Sequence, residues 1–410
     1  MKQHRQISQV LGALALLLSQ AVLADSVLDW NEIAAAQVVA SGQIAPDATR
    51  SMTMVHVAMF DAADAIDRRY EPYAHKERAP AGASVDAAIA TAAYAVLVGL
   101  YPDKAQSIES AYAAALARVP EGPGKTSGVE VGKRVGTECL QMRANDGTGV
   151  ANTYLPQTAP GIYVPTSLPV SSEWPTVKPF VIEKGAQFRP GPPPALSSEQ
   201  WARDFDEIRK VGARQSTTRT AAQTETARFW SITGPASWNQ IVRSLASSKK
   251  MSVIEHARLF ALANMAANDA YVAVFDAKYT YNFWRPITAI RRADIDGNDA
   301  TEPDKSWVPL IDTPMHPEYP CAHCITSAAV SAVLEAEFGT GTVAPIVMTS
   351  AAVPGVTHRW AKISDYADEV SNARIWAGVH YRGSTEVGRA MGMRIGQLTV
   401  ATVLKPLPQR

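Results

Sequence analysis

Apolar residues recur at helical spacing along most of this chain, and no alternating run is long enough to predict a useful strand. In the segment 47–67, for example, Met52, Val55 and Met59 fall on one face of a helix. Capping residues and prolines bound the other helical segments. The predicted helices are 47–67, 84–101, 104–118, 128–145, 197–211, 252–277, 323–338, 364–380, and a last one that Gly383 and Ser384 cap and that ends near 403. The predicted fold class is all-α.

A proline-rich stretch, residues 154–196, divides these helices into two groups. A long irregular segment is either disordered or draped across a surface. Its apolar residues, including Trp174 and Phe188, would be costly to leave in water, which favours draping. We therefore predict an N-terminal helical bundle over 25–153, a crossover over 154–196, and a second, catalytic bundle over 197–410, with the two bundles side by side.

The N-terminus has the pattern of a secretory signal peptide over residues 1–24. A basic start at Lys2 and Arg5 precedes a short apolar run, and cleavage is predicted after Ala24. The alternative is a membrane anchor, but the apolar run is short for a bilayer span. No later run of about 18 apolar residues follows, so no membrane span is predicted after cleavage. The expected location is the periplasm or the exterior.

The overall charge argues against nucleic acid as a partner. Lys+Arg and Asp+Glu are both 39 and the pI is about 7.1, so no basic surface for nucleic acid is expected. Three cysteines are too few for a disulfide scaffold. The sequence leaves the oligomeric state open.

Rare polar residues lie within apolar helical stretches at three places in the second half. Lys278 and Arg285 are seven residues apart, His323 stands just ahead of an apolar helix, and Arg374 and His380 are six apart. Taken singly, each is more often a solvated cation or an ordinary core histidine. Together they are expensive to bury unless an anion compensates them, and a multiply charged oxyanion is the natural counterion.

The three motifs, Lys-x6-Arg-Pro, Pro-x-x-His and Arg-x5-His, resemble those of one superfamily. It contains the vanadium-dependent haloperoxidases, the type-2 phosphatidic-acid phosphatases and the bacterial acid phosphatases. The segments 29–31, 54–66 and 187–194 also look like bacterial vanadium haloperoxidase-like proteins, so the resemblance covers most of the chain. It implies a vanadium-haloperoxidase-like fold.

The resemblance also implies roles for individual residues. Lys278, Arg285 and Arg374 match the cations that neutralise the equatorial oxygens of vanadate or phosphate. His323 matches the general acid–base group. His380 matches the residue that bonds vanadium in haloperoxidases or attacks phosphorus in phosphatases, and Lys278 would also polarise peroxide. The implied cofactor is vanadate, or none if the protein is a phosphatase.

The chain departs from the family at several positions. The family reads Pro-Ser-Gly-His where Cys321 and Ala322 precede His323. A thiol is a weaker donor than a hydroxyl, whereas the Ala322 N–H can still face the oxyanion. The third motif usually begins with Ser and closes with an acid, but this chain has Ala373 and Ser384. A different residue is therefore expected to hydrogen-bond His380 and orient its ring.

Cys321-Ala-His-Cys324 allows three interpretations. A thioredoxin-like redox pair lacks its βαβ context, and haem attachment needs a histidine where Ile325 stands. A local disulfide, or two buried thiols, is favoured. A disulfide is the more consistent of these in a peroxidase, because a free thiol is vulnerable to peroxide.

Two weaker signals remain. His316, seven residues before His323, is a position where bromoperoxidases of the family have His and chloroperoxidases have Phe, which points to bromide or iodide; a His bonded to backbone explains it equally well. The acidic turn 294–299 faintly suggests a calcium loop, but Lys305 stands where an EF-hand needs Glu, so a plain turn is predicted.

The function predicted from the sequence is a vanadate-dependent haloperoxidase that oxidises halide with hydrogen peroxide. The first alternative is an acid phosphatase that acts on phosphomonoesters, with His380 as nucleophile and His323 as acid. The second is an inactive oxyanion-binding protein. In every case the ligands are small molecules.

Overall fold

The computed structural model describes residues 25–165 and 167–408, so the predicted signal peptide lies outside the described residues. In these ranges the chain forms thirteen α-helices and one two-stranded sheet, which confirms the predicted all-α class. The helices are α1 Ser26–Ser41, α2 Ala45–Ile66, α3 Val85–Leu100, α4 Ala105–Ala117, α5 Pro123–Arg143, α6 Glu199–Val211, α7 Ala221–Phe229, α8 Pro235–Ala246, α9 Val253–Tyr281, α10 Pro286–Arg291, α11 Ala322–Phe338, α12 Ile363–Trp376 and α13 Arg382–Thr402.

Helix α9 runs through the middle of the molecule. Ser252 and Glu255 cap its start, where the Ser252 N–H donates to the Glu255 carboxylate over 2.7 Å. Helix α2 of the first group packs against α9, and so do α11 and α13 of the second group. Among the described residues, the largest of three apolar clusters runs from Val27 to Leu404 and includes residues of both helical groups.

Helices α11 and α13 approach closely because α13 presents glycines to α11. A Cβ at Gly388, Gly392 or Gly396 would collide with carbonyl oxygens of α11 or of Cys321 just before it. Without these side chains the two helices can pack backbone to backbone. This contact places the start of α13 against the start of α11, where two of the predicted site residues lie.

The crossover is draped over the protein, as predicted. Its Trp174 and Phe188 are buried. The buried carboxylate of Asp269 on α9 accepts from three successive N–H groups of the crossover, those of Phe180, Val181 and Ile182, at 2.7–2.9 Å. Helix α9 therefore anchors the crossover through a buried side chain whose two oxygens accept from the crossover backbone. The domain boundaries at 153 and 197 remain a prediction.

The structure corrects the prediction for one helix that carries site residues. The helix predicted over 364–380 ends at Trp376, because Gly378 adopts a left-handed conformation with φ +79°. His380 therefore lies in the turn before α13. Tyr381, and not Gly383 or Ser384, occupies the N-cap of α13.

Several elements were not predicted. They are α1, α7, α8, α10 and the hairpin of β1 Ile346–Thr349 with β2 Thr357–Trp360, which pairs Ile346 with Trp360. Among the described residues, no single helix is both long and apolar enough to cross a membrane. Among these residues, only the segments Val85–Leu100 and Pro102–Ala117 are long and apolar enough when taken together, and they are bent by 117° relative to each other.

Candidate active site

The predicted site residues converge at one end of the second helical group. Lys278 lies in the last turn of α9, and Arg285 immediately precedes α10. His323 is in the first turn of α11, Arg374 is in the last turn of α12, and His380 lies between α12 and α13. The segment 316–320 and the loop that follows α7 contact these five residues.

Lys278 is fully buried and is held by backbone carbonyls. Its ammonium donates to the carbonyl oxygens of Pro317 at 2.9 Å and Glu318 at 2.8 Å. Burial, and then the neighbouring Arg285, hold the pKa of Lys278 well below 10.5. Both of its hydrogen-bond acceptors are thus neutral carbonyls.

Arg285 and Arg374 are also buried against neutral acceptors. Arg285 donates to the carbonyls of His316 at 2.8 Å and Val379 at 2.9 Å. Arg374 donates to the carbonyl of Trp230 at 3.0 Å, and its buried Nε has no partner. Burial lowers the pKa of Arg285 to about 10 and that of Arg374 to about 9, so both remain charged at neutral pH.

The site therefore carries excess positive charge. Within the described residues, none of the three cations forms an ion pair within 4.0 Å. Glu318 is the carboxylate buried among them, and burial raises its pKa to about 7. Three buried cations facing one carboxylate, with an orphan guanidinium donor, fit a multiply charged anion such as vanadate or phosphate.

His380 is buried between Arg285 and Glu318. Arg285 Nη1 lies 3.3 Å from His380 Nε2, and Glu318 Oε1 lies 2.8 Å from His380 Nδ1. A guanidinium can only donate, so Nε2 must be the acceptor and the ring hydrogen must be on Nδ1. Burial and three cations, Arg285 first, hold the pKa of His380 well below 6.5. The neutral ring thus presents the Nε2 lone pair to the cationic site, as a ligand or a nucleophile requires.

His323 has a different kind of partner. Its Nε2 lies 3.0 Å from the hydroxyl of Thr233, in the loop between α7 and α8. Burial, and then Arg374 and Lys278, hold the pKa of His323 well below 6.5. A neutral imidazole beside cations can accept a proton once an anion offsets their charge.

The residues ahead of His323 form the start of α11. Cys321 and Cys324 are joined in a disulfide, the pairing that the sequence favours. Cys321 caps the helix, and its Sγ accepts from the Cys324 N–H at 3.2 Å. Ala322 is the first residue of α11, where N–H groups have no intrahelical acceptor and favour anions. The disulfide sulfur at position 321 cannot donate to an oxyanion.

The two weaker sequence signals have structural explanations. His316 Nδ1 lies 2.9 Å from Arg285 Nη2, so this histidine helps to hold Arg285, one of the residues predicted to bind the anion. Asp296 accepts from the Trp201 indole at 3.0 Å and from Thr301 at 2.7 Å, so its carboxylate anchors the turn. No group of three or more candidate metal ligands occurs among the described residues.

Sequence reasoning missed Glu318, Thr233 and Trp230. Glu318 could have been found, because it is an acidic residue among prolines five positions before His323. Thr233 and Trp230 stand in no motif. A cavity of about 290 Å³, whose lining includes Tyr163, Asp312 and Arg285, opens toward the site.

Comparison with known proteins gives independent information. The profile of the VCPO second helical-bundle domain matches residues 258–408, the part that carries all the predicted site residues. Vanadium chloroperoxidase from Curvularia inaequalis is 27% identical in an alignment of 188 positions that covers 38% of this chain and 30% of that protein. The match thus spans less than a third of that relative's length.

Solved structures extend the likeness to nearly the whole chain. A bacterial vanadium-dependent iodoperoxidase superposes with a TM-score of 0.78 at 24% identity, over 94% of this chain and 97% of that one. A bacterial vanadium-dependent chloroperoxidase, in its apo form, gives 0.69 at 16% identity over 87% and 92%. In fold, and in the sequence of its second half, the chain is similar to vanadium haloperoxidases.

Proposed function

We propose that this protein is a vanadate-dependent haloperoxidase that oxidises bromide or iodide with hydrogen peroxide. The observation that supports the proposal most is the cage of Lys278, Arg285 and Arg374. All three are buried and bonded only to neutral acceptors, around the Nε2 lone pair of His380. The likeness to an iodoperoxidase over nearly the full chain adds weight.

The residues of the cage have separate tasks in this proposal. Lys278, Arg285 and Arg374 would hold the anion's oxygens, and His380 Nε2 would bond its central atom. His323 would exchange protons with substrate oxygen. Vanadate, when bound, supplies a Lewis-acid centre that activates peroxide without changing oxidation state. Glu318 keeps the hydrogen of His380 on Nδ1, and so keeps Nε2 available.

Small substrates suit the opening of the site. The cavity that reaches Arg285 has a volume of about 290 Å³, at the small end of ligand pockets. Peroxide and halide fit this volume with ease. His316 against Arg285 is consistent with the bromide or iodide preference that the sequence favours. With the predicted signal peptide, we further propose that the enzyme acts in the periplasm or outside the cell.

The second candidate is an acid phosphatase. One observation favours it: His380 has a buried carboxylate on Nδ1 and an unprotonated Nε2 that faces the cations, the arrangement that a nucleophilic histidine needs. His323 would then protonate the leaving alcohol. The same cage can serve both reactions, because trigonal-bipyramidal vanadate resembles a phosphoryl-transfer transition state.

One comparison of purified protein separates the candidates. Halogenation of a phenol is measured with iodide or bromide, peroxide and orthovanadate, and hydrolysis of a phenyl phosphate is measured without vanadate. Halogenation that requires vanadate supports the proposal. Hydrolysis that vanadate inhibits supports the phosphatase. Vanadate binding without turnover indicates an inactive oxyanion-binding protein.

Two histidine variants locate the chemistry. His380→Ala is expected to abolish turnover, whereas His75→Ala, in the first helical group, is expected to retain it. Full turnover in His380→Ala would mean that the site is elsewhere.

A further inference from the structure

The loop between α7 and α8, residues 230–234, touches two site residues at once. The carbonyl of Trp230 accepts from Arg374 Nη1 at 3.0 Å, and three residues later the Thr233 hydroxyl meets His323 Nε2 at 3.0 Å. The loop therefore contacts the site from an element that none of the three sequence motifs includes.

The direction of the hydrogen bond between Thr233 and His323 depends on the tautomer of the ring. Thr233 Oγ1 has no other hydrogen-bond partner among the described residues, so its hydrogen is free to donate to the imidazole. If the hydroxyl donates to Nε2, the neutral ring must carry its hydrogen on Nδ1. The other acceptor beside the ring is the carbonyl of Trp230, which already accepts from Arg374. A charged oxyanion is a stronger acceptor than a neutral carbonyl, so the Nδ1–H could donate to an oxyanion oxygen.

We propose that Thr233 is the positioning residue of His323: its hydroxyl donates to Nε2 and so selects the tautomer whose Nδ1–H can donate to the bound anion. The inference rests on the proposed function only for the identity of the anion. Thr233 itself need not touch substrate.

The loop is anchored firmly enough to do this. Trp230 is fully buried, and its indole N–H donates to Glu369 Oε1 on α12 at 2.8 Å. The same carboxylate accepts from the Trp360 indole at 2.9 Å and meets His358 Nδ1 at 2.6 Å, both on strand β2. On the other side of Thr233, Gly234 precedes the start of α8. The hairpin thus fixes the loop, and the loop fixes the hydroxyl.

The two histidines of the site differ in a way that suits their tasks. His380 has a carboxylate partner in Glu318, whereas His323 has a neutral hydroxyl. A carboxylate beside His323 would add negative charge where the anion must bind. A hydroxyl orients the ring without that repulsion, and it can switch from donor to acceptor when the ring gains a proton.

The test is the tautomer of His323 in Thr233 variants of the full-length protein. The ring nitrogen shifts of ¹⁵N-histidine-labelled protein distinguish Nδ1–H from Nε2–H, and a His323→Gln sample assigns the signals. The wild type and Thr233→Ser are expected to show mainly Nδ1–H. In Thr233→Val the ratio of Nδ1–H to Nε2–H should fall about fivefold, the effect of losing one ordinary hydrogen bond.

Thr402→Val is the matched control. Its hydroxyl bonds only to the carbonyl of Leu398, in the last turns of α13, so this change should leave the His323 signals unchanged. A wild-type ring mainly in the Nε2–H form would overturn the proposal. So would an unaltered ratio in Thr233→Val.

Orthovanadate binding, measured by calorimetry on the same samples, separates this inference from the proposed function. Affinity is expected to fall severalfold in Thr233→Val and to recover in Thr233→Ser. If the tautomer ratio shifts as expected but the wild type binds no orthovanadate, the proposed function fails while the role of Thr233 stands. If orthovanadate binds equally to all samples despite the shift, Thr233 sets the tautomer without positioning a donor for the anion, and the inference is wrong.

Discussion

Glu318 and His380 form a pair in which neither side chain reaches solvent: the carboxylate Oε1 lies 2.8 Å from the imidazole Nδ1. The same oxygen accepts from the Tyr381 N–H at 3.1 Å. The pair therefore fixes both the ring and the first residue ahead of α13. Because Arg285 faces the opposite nitrogen, the orientation of His380 is determined from both sides.

Removing the charge of Glu318 should weaken the site. In Glu318→Gln we expect turnover to fall about 10- to 100-fold, the usual cost of losing a carboxylate that orients a ligating histidine. The change also removes a negative charge near the anion, but the loss at His380 should dominate because that ring bonds the anion directly. Steady-state kinetics measure the effect. Glu335→Gln, farther along α11, should be unaffected, and equal rates for the two variants would contradict the assignment.

Arg374 should contribute more to anion binding than to stability. Orthovanadate at about 100 times its Kd should raise the free energy of unfolding of the wild type by about 2.7 kcal/mol. In Arg374→Met this increase should largely disappear. Without anion, the variant should lose no more than about 1 kcal/mol, because relief of an unpaired buried cation offsets the lost bond to Trp230.

Urea unfolding with and without orthovanadate gives both quantities for Arg374. Arg389→Met, which removes a partly exposed ion pair with Asp368, is the control and should keep the full response to the anion. A loss of about 3 kcal/mol or more in anion-free Arg374→Met would show that this arginine is mainly structural.

The three cysteines should give a simple thiol count. Folded protein should react slowly with a thiol reagent, because Cys139 is buried and burial raises its pKa to about 12. Unfolded, unreduced protein should show one thiol per chain, and reduced protein three. Cys139→Ser should show none before reduction. Three thiols in the unreduced, unfolded chain would rule out the Cys321–Cys324 disulfide.

His56 should make the fold sensitive to acid. It stacks on Phe260 and bonds Asn31, and burial, followed by Arg243, lowers its pKa to about 3. A histidine whose folded pKa lies below its unfolded value of about 6.5 gains its proton first in the unfolded chain. Its contribution to stability is therefore present above pH 6.5 and is lost as the pH falls toward 3.

The measurement is the free energy of unfolding in urea between pH 8 and 4. Relative to wild type, His56→Gln should reduce the slope below pH 6.5 by about 1.4 kcal/mol per pH unit. Between pH 7 and 8 the two profiles should be parallel, because the ring is neutral in both states there. Parallel profiles over the whole range would mean that His56 can accept a proton in the folded protein.

The sequence by itself determined the helical class and most of the helices, because helical periodicity and caps are local features. Ser252 and Glu255 predicted the start of α9 correctly, and Gly339 the end of α11. It also singled out Lys278, Arg285 and Arg374, because cations in apolar surroundings stand out in any sequence. That these residues would meet in one site was expected from the resemblance to a known family. Their roles remain predictions.

Only the tertiary structure decided which groups hold those residues. Glu318 is 62 residues from His380, and Thr233 is 90 from His323, so neither pairing has a local signal. Such contacts arise from helix packing, for example where the glycines of α13 let it approach α11. The end of α12 was also missed, because Gly378 takes a left-handed turn in a tight contact with the carbonyl of Gly212. Long-range packing determines both the course of the backbone and the partner of each side chain. A single sequence shows which polar residues need a partner, but it does not show which residue that partner is.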